Sequence, residues 1–173
     1  MQVPRRAKDE VAGPLRIVGP RSSFRAVIWA VLEEFCRLYP DVQPDVQLDD
    51  RIGNWVEDRV DVGFRMGLAA ADGVIARRLF PIQLIICAAP AYLARYGAPD
   101  SLAALSGHRC SAFRHPITGR VTAWHVKEGN VVVDHDVVAA LCTNEEELEI
   151  DAVLAGQVIG VLTGVTGAGP IRT

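Results

Sequence analysis

The residues best suited to chemistry sit where strands hand over to helices. Gly19-Pro20-Arg21-Ser22-Ser23 closes a short apolar strand and opens a long helix with an apolar stripe. The first N–H groups of a helix have no intrahelical partner, and the helix dipole turns its positive end toward them. With two added hydroxyls, this turn is a candidate anion site. The same serines would also serve as ordinary helix N-caps, and both readings stand at this level. Arg65 ends a later strand. Its planar guanidinium can hold both oxygens of a ligand carboxylate, or it can lock Asp49 or Asp61 into a structural ion pair. No catalytic constellation is expected. Asp134-His135-Asp136 lies in a strand-like run, where neighbouring side chains alternate faces. No nucleophile elbow, P-loop or dinucleotide-binding glycine motif occurs. His108, His115, His125 and His135 have no metal-ligand spacing, so neither a metal nor a cofactor is implied. Cys36, Cys87, Cys110 and Cys142 form no CxxC pair, and small apolar residues flank most of them. They read as buried free thiols of a reducing cytosol.

The elements that must position these groups follow from periodicity. Leu15 to Val18 is a strand closed by Gly19-Pro20, and Phe24, Val27, Ile28, Val31, Leu32, Phe35 and Leu38 recur at three- and four-residue steps. That spacing puts them on one helix face, and Pro40 ends the helix. Val42 to Leu48 is a strand that Pro44 assigns to a sheet edge. Asn54 to Arg59 is expected as a short helix and Val60 to Arg65 as a third strand, giving a β-α-β-α-β order with parallel pairing. Val74 to Ala88 is a long extended segment broken by Pro81. Helices are expected at Ala91 to Tyr96, ended by Gly97, and at Ser101 to Leu105, capped by Ser101. Strands follow at Arg109 to Phe113, Val121 to Lys127, Asn130 to Val133 and Val137 to Cys142, with Glu128-Gly129-Asn130 as a hairpin turn. Glu145 to Ala155 is a helix capped by Asn144, with acidic residues facing the positive end of its dipole, and Val158 to Leu162 is the last strand.

Composition narrows the function classes. The chain has 173 residues, half of them hydrophobic and 23% charged, so it folds around a core. A net charge of −3 argues against nucleic-acid binding by this chain alone, because phosphate contacts need a concentrated Lys/Arg surface. Arg5, Arg6 and Lys8 form a small basic cluster in a polar leader. No apolar run reaches the roughly 18 residues of a membrane span, and no secretion signal is visible. A cytoplasmic location and no membrane partner are expected.

Several phrases fall in a fixed order: Leu15-Arg16-Ile17; Glu34-Phe35 with Tyr39-Pro40-Asp41-Val42; Asp61-Val62-Gly63-Phe64-Arg65-Met66-Gly67; Ala89-Pro90-Ala91-Tyr92-Leu93-Ala94-Arg95-Tyr96-Gly97-Ala98-Pro99; a lone Trp124; and Leu154-Ala155-Gly156. From about residue 14 to about residue 163 the chain resembles the effector-sensing domain of LysR-type transcriptional regulators. The resemblance implies an α/β, two-lobed, periplasmic-binding-protein-like (type II) fold with mixed sheets and a ligand cleft between lobes. Residues 1–13 would be a linker remnant, 14–81 lobe I, 82–163 lobe II and 164–173 a loose tail. It also implies a small-molecule effector, here a small anion. The loops after the strands would line its site, adding Asp50 and Gly67 to Arg21, Ser22, Ser23 and Arg65, with Asn144 and Thr163 from the second lobe. His115 lies in a second-lobe loop that either faces the cleft or is plain surface, the surface reading being preferred. Family members pair as dimers and carry an N-terminal helix-turn-helix. No such domain is legible here, so DNA contact is expected only through a domain absent from this chain. The family's return strand and final helix are not legible either, which would leave a strand edge open. The alternative is a free-standing solute-binding protein of the same fold.

Overall fold

A computed structural model describes residues 11–50, 55–66, 74–115 and 118–164, with the side chain of Ser22 outside that set. The chain divides into two compact units between Leu79 and Phe80.

In the first unit, β1 (Gly13–Gly19) pairs in parallel with β2 (Val42–Leu48) on one side and β3 (Val62–Gly63) on the other, in the order β2-β1-β3. Central β1 is the apolar strand, and Pro44 lies on edge strand β2, where a missing N–H costs least. The third strand is shorter than expected. The expected helix before it is instead a turn over residues 55–59 in which Arg59 has φ 54°, with Asn54 outside the described residues. The Trp55 ring covers Gly63 so closely that a Cβ there would lie 2.4 Å from it. This close approach is why the strand carries glycine at that point.

The helix after β1 runs in three pieces: α1 (Arg21–Ser23), a π-helical turn (Phe24–Ile28) and α2 (Trp29–Leu38). The expected serine caps are corrected. Pro20 is the N-cap, Ser23 lies inside the helix, and neither Pro20, as cap of the first turn, nor Ser23, as cap of the π-turn, makes a side-chain capping bond. The π-turn also changes which face is buried. Phe24, Ile28 and Leu32 form the first core with Ile17, and Val27, Phe35 and Cys36 pack against it. Val31 is 66% exposed and Leu38 40% exposed. A π-turn takes more residues per turn than an α-turn, so the buried row advances in steps of four and the expected stripe loses these two members.

The second unit holds β4 (Leu84–Cys87), α3 (Pro90–Tyr96), a 3-10 turn (Ala103–Gly107), β5 (Cys110–Phe113), β6 (Trp124–Glu128), β7 (Val131–His135), β8 (Ala139–Thr143), α4 (Glu146–Leu154) and β9 (Gly160–Thr163). Of the long segment expected from Val74 to Ala88, only β4 joins a ladder. It runs antiparallel to β9, and β5 runs parallel to β8, while a bridge between Cys110 and Ile159 links the two pairs. The hairpin of β6 and β7 turns at Gly129, whose φ of 60° suits glycine. Instead of the expected α-helix near Ser101 there is a 3-10 turn, although the Ser101 hydroxyl still accepts the Ala104 N–H at 3.3 Å. Asn144 is not the cap of α4. Glu145 takes the N-cap position, and its own N–H is bound by the Thr143 hydroxyl at 3.0 Å. Tyr92, Leu105, Cys110, Trp124 and Ile159 form the second core. All four cysteines are free, but Cys142 is exposed, contrary to expectation, because its place on β8 turns the thiol outward.

Candidate functional site

The parallel register of the first unit brings three strand ends together. Gly19 lies opposite Leu48, and Val18 opposite Gly63. Beyond those ends come Arg21 and Ser23, Asp49 and Asp50, and Phe64 and Arg65. Backbone bonds tie the loops after β2 and β3 to β1: Asp49 N–H donates to Gly19 O at 3.0 Å and Phe64 N–H to Val18 O at 2.8 Å. Phe24 and Phe64 meet edge to face, with centroids 5.9 Å apart, which fixes the start of the helix against the end of β3.

The charges in this corner are already partly arranged. The Arg21 N–H, first of the helix, donates to an Asp50 carboxylate oxygen at 3.3 Å. Asp50 therefore supplies negative charge to the helix start from within the chain. Asp61 accepts the Arg16 N–H at 2.8 Å, so its carboxylate serves the sheet. Arg65 is different. It is half-buried, and its Nε is shielded from solvent with no hydrogen-bond partner. A buried guanidinium N–H left unmade is costly, and an oxygen-bearing ligand would satisfy it. Gly67 lies outside the described residues.

A cavity of about 340 Å³ in the same unit is lined by Arg16, Asp45, Asp49, Trp55 and Asp58 among others. Its three carboxylates make it a poor host for an anion. None of the residues expected from the sequence at the ligand site lines it.

The remaining expected residues belong to the second unit, where each has a structural role or lies exposed. His115 is exposed and organises its own loop: its N–H donates to Arg120 O at 2.9 Å, and its Nδ1 accepts the Thr118 N–H at 3.3 Å. Thr163 is buried and donates to Glu146 Oε1 at 2.9 Å, joining the end of β9 to the first turn of α4. Asn144 is exposed in the loop between β8 and α4.

Sequence reasoning missed Glu149. It is 3% exposed, on the inward face of α4. Its Oε1 accepts the Ser111 hydroxyl from β5. Burial pushes its carboxyl above the usual carboxylate range; the Ser111 bond opposes that shift and the charge of Glu146 adds to it. The available signal was its spacing of four from Val153, a core residue on the same face. Among the described residues no group of three or more His, Cys, Asp and Glu could hold a metal ion, and no helix is long and apolar enough to cross a membrane.

Residues 8–172 match the family described as the LysR substrate binding domain. The chain is 31% identical over 152 residues to an uncharacterized HTH-type transcriptional regulator, YcaN of Escherichia coli K12, covering 87% of this chain and 49% of that protein. It is likewise 31% identical over 151 residues to the HTH-type transcriptional activator TtdR of the same strain, covering 87% and 48%. The chain thus spans about half the length of the curated relatives it matches. In fold it is similar to the regulatory domain of CrgA, a LysR-type transcriptional regulator from Neisseria meningitidis. The TM-score is 0.81 at 24% identity, over 93% of this chain and 78% of that one. The regulatory domain of AphB from Vibrio vulnificus is similar at TM-score 0.73 and 20% identity, over 93% and 77%.

Proposed function

Because the chain belongs to the LysR substrate-binding domain family, with its type II periplasmic-binding-protein-like fold, we propose that it is the effector-sensing part of a transcriptional regulator. Its effector is a small carboxylate-bearing molecule bound at the carboxyl ends of β1, β2 and β3. The observation that carries this reading is the shielded, unpartnered Nε of Arg65. Ligand would favour one arrangement of the protein over another by the difference in its affinity for the two, and that difference is the whole of the signal. The regulator of which this chain is a part would act as a homodimer and would touch DNA through a helix-turn-helix.

Asp50 sharpens the expectation. Since it already occupies the Arg21 N–H, the effector's charge is matched mainly by Arg65 rather than by the helix start. A thermal-shift screen of small aliphatic and aromatic carboxylates finds the effector class, because a ligand that binds only the folded state raises its melting temperature. Arg65→Ala should then weaken binding of the best hit by about 2 kcal/mol, the scale of a charge-assisted hydrogen bond. Calorimetry showing unchanged affinity in Arg65→Ala would remove this site.

A further inference from the structure

Glu149 is a carboxyl group enclosed without a cation among the described residues. It projects from α4 into the layer formed by β5, β9 and β4. On β5 it meets the Ser111 hydroxyl. On β9, Gly160 makes room for it: a Cβ at that position would lie 2.7 Å from Val153 Cγ2, 3.0 Å from Ser111 Oγ and 3.6 Å from Glu149 Oε1. The helix therefore packs directly on the strand backbone. The titratable groups that act on this centre are Glu146, on the same helix, and the Cys87 thiol of β4, itself pushed up by burial and by the Glu149 charge. The Cys110 thiol of β5 feels only its own burial, and β9 has no titratable side chain.

The position of Ser111 makes the protonation state consequential. Its hydroxyl lies within hydrogen-bond reach of both Glu149 Oε1 and, at 3.4 Å, the Ile159 carbonyl, while its backbone N–H already donates to that carbonyl at 2.8 Å. The hydroxyl has one proton and can serve one acceptor at a time. With Glu149 ionised, that proton points to the carboxylate. With Glu149 protonated, the carboxyl O–H donates to Ser111 Oγ, and the hydroxyl is free to turn to Ile159 O.

We propose that Glu149, Ser111 and the Ile159 carbonyl form a proton-operated latch that seats α4. Protonated, it runs one chain of donors from α4 through β5 to the residue preceding β9. Ionised, it withdraws the last link and places a charge beneath the helix with a single neutral donor. A buried charge so poorly matched weakens the packing above it. The direction in pH follows. An unfolded glutamate titrates near about 4.3, and the folded one titrates higher. The stability from the neutral form is complete below the lower value and is lost as pH rises through the higher one.

The test uses the whole chain with 13C-labelled glutamate carboxyls, followed by NMR across pH, together with thermal unfolding at about pH 5 and about pH 8. One glutamate should titrate above all the others, and its signal should be missing from Glu149→Gln, whose amide imitates the protonated acid. The wild type should lose several degrees of melting temperature between the two pH values, and Glu149→Gln should lose less. Ser111→Ala, which removes the only donor to the ionised form among the described residues, should move the Glu149 midpoint still higher. Every glutamate titrating in the ordinary range in wild type would overturn the latch, and that readout needs no variant to fold. So would Glu149→Gln following the wild-type pH profile, or a Ser111→Ala midpoint that stays put or falls.

Discussion

Arg65, Asp50, Tyr92 and Glu149 show four different ways for a polar side chain to be held. Asp50 and Asp61 are committed to backbone N–H groups. Tyr92 is fully buried, and its hydroxyl accepts the Arg109 N–H at 2.9 Å while lying 3.1 Å from His108 Nδ1. Tyr92→Phe keeps the ring and strands the Arg109 donor, so urea denaturation should show a loss of about 2 kcal/mol. A loss below about 0.5 kcal/mol would mean that water takes the place of the hydroxyl. Such commitments were only partly visible in the sequence. An aspartate after a strand reads equally as ligand contact or as backbone partner, and only the 3.3 Å distance from Arg21 N–H separates the two for Asp50. Glu149 was invisible for a related reason. A glutamate in an acid-rich helix start reads as solvated, and its burial comes from Gly160 and Ser111, which are distant in sequence.

At the scale of the element, local signals were legible where local physics decides. Strand β2 has the bounds that its composition suggested, the β6–β7 hairpin turns at the expected glycine, and α3 ends at Gly97. The helix after β1 was legible in extent but not in orientation, because the π-turn at Phe24–Ile28 cannot be read from apolar spacing. The distinction can be measured. Leu32, 6% exposed, should cost about 3 kcal/mol when cut to alanine, as buried leucines do, whereas Val31→Ala should change stability by less than about 0.5 kcal/mol. Equal losses from the two substitutions, measured by chemical denaturation, would restore the uninterrupted stripe.

For the whole molecule, the two cores share no residue: one is built on Ile17, Phe24, Ile28 and Leu32, the other on Tyr92, Leu105, Cys110, Trp124 and Ile159. Each unit thus has its own source of cooperativity. Leu32→Ala should lower hydrogen-exchange protection of the β1 amides under native conditions and leave those of β5 and β9 unchanged. A uniform fall across both units would show that the chain unfolds as one. Parallel pairing in the first unit was legible because it follows from alternation of strand and helix, whereas the strand pairings of the second unit, two of them antiparallel, were not, apart from the β6–β7 hairpin. The candidate site is proposed at strand ends on the resemblance and the turn chemistry, and its charge arrangement was not legible in the sequence.

The π-turn also bears on how the chain could change in length. A wide turn holds a residue that an ordinary α-turn omits, so the segment from Phe24 to Ile28 is a register reserve. Loss of one residue there, at exposed Arg25 or Ala26, would tighten the turn and leave Leu32 facing the core, whereas the same loss within α2 would rotate every following side chain by about a quarter turn or more. Insertions and deletions in this helix are thus tolerated unequally along its length, with the tolerant stretch lying next to the strand end that carries the candidate site.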